Sequence, residues 1–196
     1  MVLAVVGLDA RSEASLTKLG VADSKAFGSG PRAKARRKEL AQEVRNTACW
    51  TATRVASADT IDARVVHGEL NVLERELAAH MLEAAPLLSG DSIVCDGARL
   101  FSPLRVRFSN LRAMDKAESK YASVAAASIL AKDLRDSAFD EIVERYQDSY
   151  GPLKGGGYPN AATNAFIDWH VAQFGTLPPQ TRKSWGRRAS PADPTR

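Results

Sequence analysis

Residues 115–136, DKAESKYASVAAASILAKDLRD, limit what this chain can fold into more than any other stretch. Two acids and a lysine lead into a run built mostly of Ala, Ser, Val and Ile. Helical spacing then continues to about residue 148, with Val124, Ala127, Ala131, Leu134 and Ala138 on one side. Ala and Ser at packing positions let a helix axis approach a sheet more closely than Leu would allow. The N-terminal end of this helix is therefore expected tight against strand ends, with Asp115 and Glu118 just ahead of it.

Strand-like and helix-like stretches alternate along the rest of the chain, the pattern of an α/β domain whose sheet is at least partly covered by helices. The opening MVLAVVG reads as a buried strand, because a signal sequence would need a basic start, a longer apolar run and a small-residue cleavage site. SEASLTKLG follows as a short helix with Gly20 just beyond its end, and DSKAFGSG as a loop. Pro31 opens a helix over 31–46 whose first turns hold Arg32, Lys34, Arg36, Arg37 and Lys38. Such a cluster is ordinarily a solvated face; contact with a nucleic-acid backbone is the alternative. CWTATRVA predicts a second strand, SADTID a capped helical turn, and residues 68–85 a helix carrying Leu70, Leu73, Leu77 and Met81. SIVCD is a third strand ending on an acid, and RVRF a fourth. GPLKGGGYPN breaks the long helix, residues 161–174 form another, and the polar, Pro-containing tail 186–196 is expected to be disordered.

At 196 residues and 44% hydrophobic content the chain can bury one good core, expected over residues 1–185, and is short for two domains. A formal charge of +4 leans toward a polyanionic partner without requiring one. Cys49 and Cys95, the only cysteines, lie in separate strand-like runs, so a reduced, cytoplasmic setting without a disulfide is expected. His67, His80 and His170 lack ligand spacing, which argues against a His/Cys zinc site. No stretch approaches the ~18 apolar residues of a membrane helix, so no membrane partner is expected.

Asp96 ends the strand SIVCD and Glu118 precedes the long helix, so the two carboxylates can converge at one edge of the sheet. Convergent carboxylates suit Mg²⁺ or Mn²⁺, hard cations that prefer oxygen ligands. The same positions also suit an Asx-turn at Asp96 before Gly97 and a helix cap at Glu118, and spacing does not separate the two.

Whole motifs say more than spacing. KAESKYASVAAASILAKDLRD closely resembles the long-helix motif of the type 2 ribonucleases H, the ribonuclease HII family. In the family's order, GVADSKAFG resembles its G-V-x-D-S-K loop, VCDG its strand ending in a catalytic Asp, and GGGYPNAATNAFIDW its G-S-G-Y-P segment. GTLPPQTRKSW is similar to the closing motif of the archaeal branch. The resemblance covers roughly residues 1–185 and implies an RNase H-like fold, a mixed sheet flanked by helices, in which four carboxylates bind two metal ions. It implies hydrolysis of the RNA strand of RNA/DNA hybrids and cutting at ribonucleotides embedded in duplex DNA. Asp96 falls at the third carboxylate position and Glu118 at the fourth, where the family has Asp, so both are implied as catalytic and metal-binding residues. By the same resemblance Lys25 contacts phosphate and Tyr158 packs on the sugar at the RNA-to-DNA junction. Arg135, Asp136, Arg182, Ser184 and Trp185 also match family positions, and structural roles are expected for Asp136 and Trp185.

The departures lie at the front. MVLAVVGLD resembles the family's second strand, and the first strand, with its Asp-Glu pair and Gly-Arg-Gly loop, has no counterpart in this sequence. Asp9 and Glu13, the only early acids, are read as surface residues. Two expectations follow. The chain is either a shortened form of a hybrid-specific endonuclease or a paralog that binds hybrids without two-metal chemistry, and as written it is expected to be nearly inactive. A third reading, an interaction subunit with no nucleic-acid role, would lack salt-sensitive hybrid binding.

Overall fold

The computed structural model describes residues 1–21 and 30–184. Lys25 with its DSK loop, Trp185 and the tail 186–196 lie outside the described residues.

Strand β1 (Val2–Gly7) pairs antiparallel with β2 (Trp50–Val55), Val2 opposite Val55 and Gly7 opposite Trp50. Gly7 has no freedom to be larger, because a Cβ there would collide with the Trp50 indole. Between these strands come α1 (Ala10–Lys18) and α2 (Pro31–Thr47). Asp9 and Ser12 start α1 through a reciprocal cap, in which the Ser12 amide donates to Asp9 Oδ1 at 2.7 Å and Ser12 Oγ accepts from the Asp9 amide at 2.9 Å. Gly20 follows the end of α1 with φ 82°, the left-handed geometry expected there. Helices α3 (Ala58–Val65), capped by Ser57, and α4 (Leu70–Glu83) precede β3 (Ile93–Asp96). The one-turn α5 (Ala98–Phe101) and a 3-10 turn (Ser102–Val106) lead to β4 (Leu111–Met114), which runs parallel to β3. A second 3-10 turn (Ala117–Ser119) enters α6 (Ala122–Tyr150), and α7 (Ala161–Phe174) begins on an Asn160 side-chain cap.

Antiparallel and parallel pairing are both present, but in two separate two-stranded pieces, β1–β2 and β3–β4. Helix α6 joins them. Its Ala125, Ala126, Ile129 and Leu130 pack with Val6, Leu16, Leu40 and Val44 in the most deeply buried cluster. A second cluster gathers Ala78, Leu82, Phe101, Leu111 and Ala113 beneath Leu3 and Val5 of β1. At the far end of α6, Tyr146 meets Phe166 edge-on at 4.9 Å and donates to or accepts from His170 Nε2 at 3.2 Å, which seats α7.

Three sequence expectations change. RVRF is no strand: its first half closes the 3-10 turn and Val106 is 97% exposed, while the residues that pair with β3 are LRAM, whose Leu111 and Ala113 turn inward. The alternation of charged and apolar residues in RVRF imitates a strand, yet Pro103 and the preceding helical turn keep the chain coiled until Asn110. The buried side of α6 is Ala122, Ala125, Ala126, Ile129, Leu130 and Asp133, one residue around the helix from the expected stripe, and Ala138 is exposed. The basic face of α2 is not simply solvated, since Arg37 pairs with Asp136 of α6 at 2.8 Å with both side chains nearly buried, and Lys34 pairs with Asp140.

Candidate active site

Strand β3 delivers Asp96 to the end of its sheet, and Gly97, at φ 121°, turns the chain at once into α5. Strand β4 runs alongside with Met114 opposite Asp96, so the residues following both strands emerge together. Asp96 Oδ1 then accepts the Ala117 amide at 3.0 Å, while Asp115 Oδ1 accepts the Ala98 amide at 2.8 Å. Each aspartate thus holds the backbone that leaves the other strand. This cross-brace fixes the 3-10 turn and places Glu118 against Asp96.

Lys116 sits within that turn at φ 59°, the one non-glycine residue with positive φ among the described residues. Left-handed backbone at a lysine costs of order 1 kcal/mol and persists where the surroundings over-determine it, here the two braces. Asp96 has Glu118 as a side-chain hydrogen-bonding neighbour. Partial desolvation, that hydrogen bond and the repulsion from Glu118 raise the Asp96 pKa above its ordinary value, against the Ala117 amide that lowers it. The residue is exposed overall, so the site is reachable from solvent even though the carboxyl itself is partly dehydrated.

The two residues named for metal chemistry therefore meet, and neither plays the purely local part open to it from spacing alone. Asp96 binds the backbone of a different segment instead of closing an Asx-turn, and α6 has no side-chain cap from Glu118. Among the described residues no group of three or more His, Cys, Asp and Glu side chains comes together as a metal-binding cluster. Two carboxylates can serve one largely hydrated divalent ion, which needs six oxygens in near-octahedral array. They do not fit a two-ion centre.

Tyr158 stands apart. Its ring is 52% exposed, its hydroxyl accepts from Arg135, and the Arg135 guanidinium lies over the ring at 4.8 Å from the centroid. Arg135 also binds Asp136, which binds Arg37, so the tyrosine loop is tied through α6 to α2. At ~1.5 Å per residue, Arg135 lies roughly 20 Å along α6 from the carboxylate end. The structure does not bring Tyr158 to Asp96. Arg182 and Ser184 lie near α3, where the Ser184 amide and hydroxyl both donate to Asp62. Asp9 and Glu13 are exposed, as read.

Asp115 escaped the site assignment, although its place directly after a strand end was a signal. The Arg135–Tyr158 stacking had none, since nothing in the intervening residues foretells that the loop folds back on α6.

Comparison with known proteins places this arrangement. The ribonuclease HII family profile matches residues 1–188. A ribonuclease HII from Pyrococcus furiosus is 32% identical over 193 aligned residues, covering 94% of this chain and 81% of that protein. Another, from Archaeoglobus fulgidus, is 33% identical over 190 residues, 93% of this chain and 85% of that one. Among solved structures, the PCNA:RNase HII complex from Archaeoglobus fulgidus matches with a TM-score of 0.69 at 31% identity, covering 94% of this chain and 85% of that one. The ribonuclease H2 of Pyrococcus horikoshii shares the fold with a TM-score of 0.72 at 24% identity over 94% of each chain. Bst-RNase HIII, solved with Mn²⁺, shares it with a TM-score of 0.66 at 23% identity, covering 89% of this chain and 57% of that one. The fold is RNase H-like, and the chain belongs to the ribonuclease HII family.

Proposed function

We propose that this chain acts on RNA/DNA hybrids and on duplex DNA with embedded ribonucleotides, with Asp96 and Glu118 as the carboxylates that hold Mg²⁺ or Mn²⁺ beside the scissile phosphate. The family is one of endoribonucleases that hydrolyse RNA in hybrids. The observation that carries the reading to particular residues is the cross-brace, which fixes Asp96 at the end of β3 and, beyond β4, the turn that carries Glu118. Because ligands must be deprotonated, ion binding here is expected to strengthen as pH rises. With two carboxylates where two-metal hydrolysis uses more, the chain by itself binds hybrid far better than it cuts it. Tyr158, exposed and held by Arg135, offers a flat face for a sugar at the edge of the duplex.

The test is a salt series of hybrid binding combined with a cleavage assay on the purified 196-residue chain in Mg²⁺ and in Mn²⁺. Expected are hybrid binding that weakens steeply with salt, slow cleavage, and a further loss of about 100-fold or more in Asp96→Asn with binding little changed. Rapid cleavage indifferent to Asp96→Asn would remove Asp96 from the chemistry. Absence of salt-sensitive hybrid binding would turn the reading toward an interaction subunit.

A further inference from the structure

The turn that carries Glu118 is built on a residue poorly suited to its backbone. Lys116 has φ 59° and ψ 35°, the left-handed region in which glycine is unstrained and asparagine is tolerated, while a long side chain is penalised. The turn needs this conformation. The Lys116 carbonyl accepts the Ser119 amide at 3.2 Å and the Ser119 hydroxyl at 2.8 Å, and the next residue delivers its amide to Asp96. All of these bonds use backbone of residue 116 or its neighbours, so glycine would make them equally well. The Lys116 side chain is exposed and has no hydrogen-bond or ion-pair partner among the described residues. Nothing in the fold uses its ammonium.

Its surroundings indicate what does. The cross-brace lays the segment after β3 beside the segment after β4, so Arg99, one residue beyond Ala98, and Lys116, one beyond Asp115, leave the sheet end together. Lys120 closes the same turn. Arg99 and Lys120 are exposed like Lys116, and their side chains too have no partner among the described residues. The carboxylates of Asp96 and Asp115 are engaged by backbone amides, and the three cations beside them are left to solvent. A small anion entering here meets carboxylates as well as cations. A strand of phosphates, with charge spaced along its length, can place one phosphate on a cation at the rim and the next group at the carboxylates, releasing counterions as it does so.

We infer that Lys116 is a phosphate contact for the hybrid, held by the left-handed turn so that the strand engaging its ammonium is presented to Asp96 and Glu118. Arg99 and Lys120 add to the local field. The strained backbone thus serves binding at a cost to stability, the trade expected where a functional side chain sits in a turn that glycine would suit better. The inference rests on the hybrid-binding reading above and names a residue that this reading does not.

Three variants of the full chain separate charge from strain. Lys116→Gly removes both, Lys116→Gln removes the charge alone, and Lys116→Arg keeps both. Each is compared with the unaltered chain for affinity to a short RNA/DNA hybrid across a salt series, without divalent ions so that no cleavage competes, and for Tm. Lys116→Gly and Lys116→Gln are expected to bind about tenfold more weakly, with the slope of log affinity against log salt reduced by about one. Lys116→Arg is expected to bind within about twofold of the unaltered chain. Tm is expected to rise by about 2–4 °C in Lys116→Gly and to stay unchanged in the other two. Stability and affinity moving in opposite directions in one variant is a result that a structural role for the side chain does not produce. Unaltered affinity in the Gly or Gln variant, or an Arg variant as weak as Gly, would overturn the inference. A fall in Tm of Lys116→Gly would overturn it too, by showing that the side chain serves the turn. If the unaltered chain binds no hybrid, the reading beneath the inference fails and takes it along, whereas loss confined to the comparison among variants leaves that reading intact.

Discussion

At the scale of single residues, Asp96 carries two duties that oppose each other. As a brace it fixes the Ala117 amide, and as a carboxyl it faces Glu118. A raised pKa in the folded state means that the folded chain holds the proton more tightly than the unfolded chain. The resulting stabilisation is complete below the ordinary Asp value of ~3.9 and is lost as pH rises through the raised folded value. Asn at this position keeps an oxygen for the Ala117 amide and gains an amide to offer Glu118. Asp96→Asn is therefore expected to raise Tm at pH 7 without divalent ions, with a smaller gain at pH 4; a loss of stability at pH 7 would mean that the brace needs the charge. The convergence of Asp96 and Glu118 was legible from motif order, but the part played by Asp115 was not, because it depends on Ala98 at the end of another strand.

At the scale of elements, α2 and α6 are held by more than apolar contact. Arg37 and Asp136 are 12% and 13% exposed at their side chains, and Arg45 reaches Asp133, itself 10% exposed. Burial acts to raise the Asp136 pKa, but hydrogen bonds from Arg135 and Arg37 outweigh it and hold the carboxyl below its ordinary value. Its contribution is therefore present above ~3.9 and disappears as pH falls through the lowered folded value. Removing Arg37 leaves Asp136 with the more exposed Arg135 as its cation, so Arg37→Ala is expected to cost about 2 kcal/mol, the range of a charged hydrogen bond, in urea unfolding at pH 7. The deficit should narrow toward pH 2 as Asp136 protonates; a cost below ~1 kcal/mol would class the pair with ordinary surface ion pairs. The sequence marked the basic turn of α2 but not which of its residues would face α6. Helical spacing shows which side chains share a face and leaves open how that face is rotated toward its neighbours.

At the scale of the whole molecule, burial is uneven. Leu16, Leu40, Val44, Ala125, Ala126 and Ile129, all fully enclosed, belong to the cluster around α2 and α6, whereas the cluster under β3 and β4 keeps some solvent contact throughout. Strand β1 lies between the two, with Ala4 and Val6 turned to the first and Leu3 and Val5 to the second. Native-state hydrogen exchange is expected to show α2 and the first half of α6 opening only with global unfolding, and β3, β4 and α5 opening locally at lower free energy. Equal protection of both regions would mean that α6 alone couples them fully.

What the sequence determined by itself is local or motif-borne: the helix starts at Pro31, Ser57 and Asn160, the strand that ends on Asp96, the long small-residue helix and the family to which the chain belongs. These rest on contacts within a few residues or on patterns readable in order. The tertiary structure alone decided that LRAM pairs where RVRF does not, and that Ala125 and Ala126 are enclosed in the core while Ala127 and Ala131 border the cavity lined by β1 and β3. Each of these depends on which surfaces distant segments present to one another. An alternating or helical pattern is satisfied equally well by several such arrangements, and only close packing across the chain selects among them.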